Sequence, residues 1–449
     1  MNLAGKRALV IGLGKSGVAA VRFLAGRGAS VTAADARSRE QLAGSERALA
    51  GLDVSLRFNG HPDSLLAQQD LIVPSPGVPW DLPGLVSARR RGIAVCGELE
   101  LASADLRGRV IGVTGTNGKT TTVSLIDHVL RQVGVPGRLA GNIGTPVLSI
   151  AGASRPADWH VLELSSFQLE ASASFRCHVA AVLNVTPDHL DRHRTLEEYA
   201  AAKARILRNQ RRGDAAVLNG DDRECRRMAA RARGAVVRFS RTCRDGVQAC
   251  VSGGRIRFRG EDVAGADLPI KGGHNLENAL AAVAACRLAG VPPARIGRAL
   301  ATFRPVPHRM EFVASVEGVD FFNDSKATNV AAAVKACGTF PAGLWAILGG
   351  RDKGSDFRPL GETLRSRARA ALLVGEAAGL IRRQIGGAIA TVEVGTLDAA
   401  VRHAAARAAP GDTVLLAPAC ASFDQFANYV ERGRAFRCLV RELGGRECR

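Results

Sequence analysis

The chain has 449 residues, 46% of them hydrophobic, which is enough for several domains with complete cores. No apolar run reaches the roughly 18 residues a membrane-spanning helix needs, and the N-terminus turns into a strand and a glycine loop where a signal peptide would continue. The net charge is +19, but only 8 of the 61 basic residues are Lys, the Arg are dispersed, and aromatics are 4%, so a nucleic-acid surface is not expected.

Residues 6–12 read as a buried strand, 17–27 as a helix and 29–34 as a second strand ending at Asp35. Between the strands lies Gly12-Leu-Gly14-Lys15-Ser16-Gly17, a full G-x-G-x-x-G. Such glycines let the backbone approach a pyrophosphate at a helix N-terminus, and the following acid can reach a ribose. By itself the loop fits NAD, another nucleotide, or a tight turn with no ligand. A short strand at 71–73 runs into Pro74-Ser75-Pro76-Gly77.

Strand 109–114 leads into Gly115-Thr116-Asn117-Gly118-Lys119-Thr120-Thr121, with a helix expected from Val123. Backbone N–H groups of such a loop cradle phosphates, the Lys meets the outer oxygens and a Thr hydroxyl reaches Mg²⁺. The spacing departs from a strict Walker A, because Val113 stands five residues before Gly118. ATP is the expected ligand. Strand 159–164 carries Glu163, and strand 179–184 runs on to Asp188 and His189, both expected at strand C-termini, where α/β folds place ligands. A carboxylate suits Mg²⁺; an imidazole is less usual.

Lys203 falls in an expected helix at 197–208. A helical Lys is usually solvated, yet in a chain that prefers Arg a retained Lys points to a compact ammonium or a nucleophilic amine. Strand 215–218, an apolar helix at 275–289 and a Pro-rich segment at 303–307 follow, then strands at 344–348, 371–374 and 413–417. Alternating strands and helices give an α/β fold of three domains, 1–97, 98–304 and 305–449: a Rossmann-like first domain, a central P-loop ATPase-like domain with a mostly parallel sheet, and a Rossmann-like third. Ten Cys without a C-x-x-C pair exclude a Cys-based zinc ribbon and a dense disulfide framework, and fit a reducing, cytoplasmic setting.

In this order, Gly-Thr-Asn-Gly-Lys119-Thr, Glu163-Leu-Ser-Ser-Phe-Gln, Asp188-His189-Leu-Asp191, His274-Asn275-Leu-Glu-Asn278, Pro307-His308-Arg309, Asn323-Asp324-Ser-Lys326-Ala-Thr328 and Leu348-Gly-Gly-Arg-Asp-Lys353 resemble the Mur ligases, ATP-dependent amide ligases of peptidoglycan precursor synthesis. Ser-Ser-Phe-Gln and Cys420-Ala-Ser422-Phe423-Asp-Gln-Phe resemble the branch that joins D-glutamate to UDP-N-acetylmuramoyl-L-alanine. The Asp-Asn-Pro-Arg motif of the ligase that adds the third amino acid is absent. The resemblance implies that the first loop takes UDP in place of NAD, on Gly14, Lys15, Ser16 and Gly17, with Asp35 near uracil and Ser75 and Asn142 along the muramoyl arm. One uracil contact is in question, since Ala36 stands where the family commonly has Thr.

It further implies ATP on Gly115–Thr121, Asn275, Asn278, Arg309 and Asp324, and Mg²⁺ at two sites held by Thr120, Glu163, His189 and a carbamylated Lys203. His308 and Lys326 lie beside the nucleotide positions, and Thr328, Lys353, Ser422 and Phe423 would surround D-glutamate. Lys119, Glu163, His189 and Lys203 are the expected catalytic set, in a monomer that does not enter a membrane. A sibling ligase, a folylpolyglutamate synthase with its related ATP loop, and a regulator that binds ATP without consuming an amino acid are the rival readings.

Overall fold

The computed structural model describes residues 2–60, 63–270, 272–304 and 307–444. Pro305 and Val306 of the Pro-rich segment lie outside the described residues. The chain divides into two compact units, one of Met1–Val185, Glu197–Ala266 and Glu277–Ala301, the other of Thr186–Leu196, Asp267–Leu276 and Thr302–Arg449. Among the described residues no helix is long and apolar enough to cross a membrane.

The first unit holds two sheets. The smaller has five parallel strands in the spatial order Val54–Arg57, Ser30–Ala34, Arg7–Ile11, Leu71–Pro74 and Ala94–Val95. Its strand Arg7–Ile11 pairs with Ser30–Ala34 on one side and Leu71–Pro74 on the other, so the order reverses there and leaves a crevice at the strand ends. Leu9, Ile11, Ile72, Leu85 and Ala88 fill the core on one face. The helix after the first glycine loop is Lys15–Ala25, two residues earlier than expected.

The larger sheet has nine strands. Its parallel part runs Ala249–Ser252, Ala235–Thr242, Ala215–Asn219, Val179–Val182, Arg109–Thr114, Trp159–Glu163 and Leu139–Gly141. Arg255–Phe258 and Glu261–Gly265 extend it antiparallel. Arg109–Thr114 lies between Val179–Val182 and Trp159–Glu163, so here too the order reverses at the strand that feeds a glycine loop. Cys243 and Cys250 form a disulfide across the turn between Ala235–Thr242 and Ala249–Ser252. Cys96, Cys177, Cys225, Cys286, Cys337 and Cys420 are free and buried. The cysteine spacing carried no signal for this pair, which closes over the short connection between the two strands.

The second unit contains a six-stranded sheet in the order Glu311–Val316, Val319–Asn323, Thr413–Ala419, Leu344–Gly349, Ala368–Val374 and Thr391–Gly395, parallel except for the first hairpin. Alternate residues point to opposite faces. Ala346, Leu348, Ala371, Leu373, Leu415 and Ala417 pack under helices Val330–Cys337, Arg358–Leu364 and Ala378–Ile385. Trp345, Ile347, Leu372, Val414 and Leu416 face helices Leu397–Ala405 and Tyr429–Leu443 through Leu397, Val401, Phe436 and Val440. Helices on both faces explain why these strands read as continuous apolar runs.

Candidate active site

The first glycine loop leaves strand Arg7–Ile11 with Gly12 at φ +90°, a left-handed turn that favours glycine. A Cβ on Gly17 would stand 1.8 Å from the Gly12 carbonyl oxygen, so the helix can begin this close to the strand only without a side chain there. The Ser75 hydroxyl donates to the same carbonyl at 2.7 Å, tying the loop across the crevice to the end of Leu71–Pro74. Asp35 is buried, and its Oδ2 accepts the Leu13 N–H at 2.7 Å. The Arg37 guanidinium grips the same carboxylate at 2.8 and 3.0 Å. That guanidinium, with the Leu13 and Arg37 N–H groups, holds the Asp35 carboxyl well below the usual carboxylate range against the opposing effect of burial. Asp35 thus braces the loop that the sequence assigns to a pyrophosphate. Gly14 and Lys15 are exposed and Ser16 is half-buried at its rim.

In the larger sheet, Gly115 (φ +153°) and Gly118 (φ +88°) shape the second loop. Its helix is Lys119–Gln132, beginning four residues before the expected Val123, because its first turn is Lys-Thr-Thr-Thr and shows no apolar periodicity. Asn184 clamps the loop: its Oδ1 accepts the Asn117 N–H at 2.8 Å, its Nδ2 donates to the Asn117 carbonyl at 3.1 Å, and its own carbonyl accepts the Thr116 N–H at 2.9 Å. Asn278 packs against Gly118, where a Cβ would come within 2.2 Å of its Oδ1. Lys119 Nζ folds back on the carbonyls of Gly115 and Thr116 at 2.7 and 2.9 Å.

Glu163 ends its strand 2% exposed. Its Oε2 accepts the Thr120 hydroxyl at 2.8 Å and its Oε1 the Asn142 amide at 3.0 Å. Lys203 is 1% exposed; its Nζ donates to the Gly115 carbonyl at 3.0 Å and stands 4.2 Å from the Tyr199 ring centroid. The structure therefore brings Lys119, Thr120, Glu163, Asn142 and Lys203 together around one loop. Lys203 is a core residue here, which removes the solvated-face reading.

His189 does not sit at a strand end. Val179–Val182 stops earlier, and His189 is the left-handed residue (φ +54°) that caps the short helix Leu190–His193 in the second unit. Next to it, Asp188 accepts the Asn329 amide at 3.0 Å and lies 3.9 Å from Lys353 Nζ. Asn329 in turn caps helix Val330–Cys337 through the Ala332 N–H at 2.9 Å.

Lys353 follows Leu344–Gly349, and Ser422 follows Thr413–Ala419, two neighbouring strands between which this sheet also reverses order. Arg351 and Ala421 exchange backbone hydrogen bonds at 2.9 and 3.0 Å, and the Ala419 N–H donates to the Ala327 carbonyl at 2.9 Å. These bridges gather the stretches bearing Thr328, Lys353 and Ser422. Ser422 is 2% exposed and Phe423 62%. Beneath them Arg432, 3% exposed, donates to Ser325 Oγ at 3.0 Å and O at 2.9 Å, and to the Cys420 carbonyl at 3.2 and 3.3 Å. Burial lowers its pKa to about 10, so it stays a cation at neutral pH.

His308 (φ +63°) is buried, with Nδ1 3.0 Å from Asn323 Nδ2 and its N–H donated to Glu311 Oε2 at 2.8 Å. Burial pushes the Asp324 carboxyl up to about 6, opposed by Arg309, the Met310 N–H and Lys326. Arg309 Nε is buried with no hydrogen-bond partner among the described residues. Lys326 Nζ lies 5.1 Å from the Tyr429 ring centroid. Asn275 belongs to the second unit and Asn278 to the first. Among the described residues no group of three or more His, Cys, Asp or Glu converges on a metal position. Reading the sequence alone left out the bracing roles of Asn184, Asn329 and Arg432.

Three family models match consecutive parts of the chain: a Mur ligase MurD-like N-terminal domain at residues 6–97, a Mur ligase middle domain at 113–286 and a Mur ligase glutamate ligase domain at 308–420. A protein of Solibacter usitatus named UDP-N-acetylmuramoylalanine--D-glutamate ligase is 52% identical over 444 residues, 99% of each chain. One of the same name from Acidobacterium capsulatum is 49% identical over 447 residues, 98% of this chain and 97% of that one. Among solved structures, the UDP-N-acetylmuramate-alanine ligase of Thermotoga maritima superposes with a TM-score of 0.63 at 18% identity, over 98% of this chain and 100% of that one. A pseudomurein peptide ligase of Methanothermus fervidus gives 0.59 at 21%, over 92% and 96%. The chain belongs to the Mur ligase family, in its UDP-N-acetylmuramoylalanine--D-glutamate ligase branch.

Proposed function

We propose that the chain joins D-glutamate to UDP-N-acetylmuramoyl-L-alanine at the expense of ATP, through an acyl-phosphate, in cytoplasmic peptidoglycan precursor synthesis. The observation that carries this reading is the cluster of Lys119, Thr120, Glu163 and buried Lys203 around one glycine loop, in a chain 52% identical over nearly its whole length to a ligase of that name. Residues 1–97 take the UDP donor, 98–304 the ATP and 305–449 the amino acid, in a monomeric enzyme.

The donor atoms fit a hard divalent cation. Around Glu163 they are a hydroxyl and a carboxylate, with no thiol. Thr120, Glu163, His189 and Lys203 are the residues assigned to Mg²⁺, at two sites. Bound there, Mg²⁺ supplies charge neutralisation on the transferring phosphoryl group. The Lys119 and Lys203 ammonium groups both reach the Gly115 carbonyl, at 2.7 and 3.0 Å. A carbamate on Lys203 would end that like-charge crowding and add two oxygen donors in a region otherwise short of carboxylates.

The loop N–H groups and Lys119 hold the triphosphate in line with the donor carboxylate. A carboxylate oxygen bonds to the γ-phosphorus as the bond to ADP breaks. The amine of the acceptor then attacks the acyl carbon, inorganic phosphate leaves and the amine gives up a proton. Lys353 supplies a point charge to one carboxylate of D-glutamate, and the Ser422–Phe423 stretch donors to the other. Two carboxylates suit this cluster better than alanine, which has one, or a diamino acid, whose second amine would face Lys353. The test labels the donor carboxylate with heavy oxygen. One labelled atom in the released phosphate per amide formed is the expected result; unlabelled phosphate would exclude the acyl-phosphate route.

A further inference from the structure

Glu98 opens the helix Glu98–Ser103 and is only 3% exposed. The residue before it packs closely: the Gly97 N–H donates to the Ala171 carbonyl at 3.1 Å, and a Cβ on Gly97 would come within 2.6 Å of Ala171 Cβ. Glu98 Oε1 accepts the Leu148 N–H at 3.4 Å, while Oε2 is buried with no hydrogen-bond partner among the described residues. The Ser16 hydroxyl, the Gln168 amide and the Val147 N–H also act on this carboxyl, and burial outweighs all of them, raising its pKa.

Each neighbour leads to a part of the site in the same unit. Ser16 lies on the first glycine loop. Val147 and Leu148 end the turn that begins at Asn142, whose amide holds Glu163. Gln168 completes the capping box of helix Ser166–Glu170, which starts just after Glu163. No step of the reaction above uses Glu98.

We propose that Glu98 is a positioning residue for the donor substrate, holding Ser16 and the 147–148 turn in one register so that a nucleoside diphosphate on the first loop lies at a fixed place relative to Glu163. This rests on the reading of that loop as the donor site. The Glu98 carboxyl stands behind the loop, in reach of the Ser16 hydroxyl and of the Leu148 N–H, so the length of the side chain at 98 sets how far the loop and the 147–148 turn stand apart.

The experiment compares Glu98→Ala, Glu98→Asp and Glu98→Gln in the full chain, by steady-state kinetics for all three substrates, UDP affinity by calorimetry and thermal melting. Glu98→Ala is expected to raise the donor KM and the UDP Kd about tenfold, ~1.4 kcal/mol, with the KM values for ATP and D-glutamate within about twofold. Glu98→Gln, which keeps the length of the side chain and an oxygen to accept the Leu148 N–H, restores the donor KM. Glu98→Asp, one methylene short, shifts it about threefold even if the Ala variant fails to fold. An unchanged donor KM and UDP Kd, or an equal rise of all three KM values with a lower Tm, would overturn the proposal, as would a Gln variant no better than Ala. If the parent itself does not bind UDP, the donor-site reading has failed and takes this inference with it.

Discussion

The loop proposed for ATP and the cluster proposed for the acceptor are built in opposite ways. The loop is one contiguous stretch, Gly115–Thr121, between a strand and its helix, and Asn184, Lys119 and Lys203 hold its backbone. The acceptor cluster has no contiguous motif. Thr328, Lys353 and Ser422 come from stretches tens of residues apart in sequence, gathered by the Arg351–Ala421 and Ala419–Ala327 backbone bonds and by Arg432 beneath. Phosphate recognition is mostly a backbone affair and can be local. Recognition of an amino acid needs side chains from several strand ends. The two regions should therefore fail differently when broken.

The largest effect is expected in the loop. Lys119→Ala should lower kcat by at least about a hundredfold while UDP affinity, read by calorimetry, stays at the parent value. Normal turnover in this variant would remove the loop from the mechanism. Lys203→Arg should come next. It keeps the cation that meets Gly115 but cannot carry a carbamate, so near-complete loss of activity is expected. Native mass spectrometry of the parent should show an acid-labile gain of about 44 Da; an active Arg variant would leave Lys203 as a packing residue only.

Gly17→Ala places a methyl group 1.8 Å from the Gly12 carbonyl oxygen. The first loop must open, and UDP affinity should fall by about tenfold or more, ~1.4 kcal/mol, with ATP binding retained. Lys353→Ala probes the acceptor cluster. Loss of a charge-assisted contact, about 1.5–3 kcal/mol, should raise the D-glutamate KM by one to two orders of magnitude and leave the ATP KM nearly unchanged. A variant weakened only toward ATP would reassign Lys353 to the nucleotide.

The smallest effect concerns stability. Burial raises the Asp324 carboxyl to about 6, so the folded chain keeps a proton that the unfolded chain has released. Its contribution to stability is present below the unfolded pKa and is lost as pH rises from about 4 to about 6. Asp324→Asn should abolish this part of the Tm decline while weakening ATP binding. A parallel decline in both proteins would place the titration elsewhere.

What the sequence makes legible follows the same division. The parallel strands are continuous apolar runs because helices cover both faces, and Arg109–Thr114, Leu344–Gly349 and Thr413–Ala419 lie within two residues of where that pattern puts them. The antiparallel strands Arg255–Phe258, Glu261–Gly265, Glu311–Val316 and Val319–Asn323 were not foreseen. They are short and glycine-flanked, and two of them carry the Arg255 and Arg257 ion pairs with Asp262 on an open face. Glu163 and Lys203 were readable as candidates, one from a strand end and the other from scarcity. Arg432 was not, because a chain with 61 basic residues, 8 of them Lys, gives no weight to one more Arg. Asn184 and Glu98 act on backbone and loops distant in sequence, where only strand pairing and helix packing bring them into place.

The most direct test of the central claim is phosphate release from ATP in the presence of UDP-N-acetylmuramoyl-L-alanine, with D-glutamate, L-glutamate, L-alanine or a diamino acid offered in turn. Release stimulated by D-glutamate alone, and lost with Lys119→Ala, is the predicted result. Preferred use of L-alanine or a diamino acid, or release that no amino acid stimulates, would contradict it.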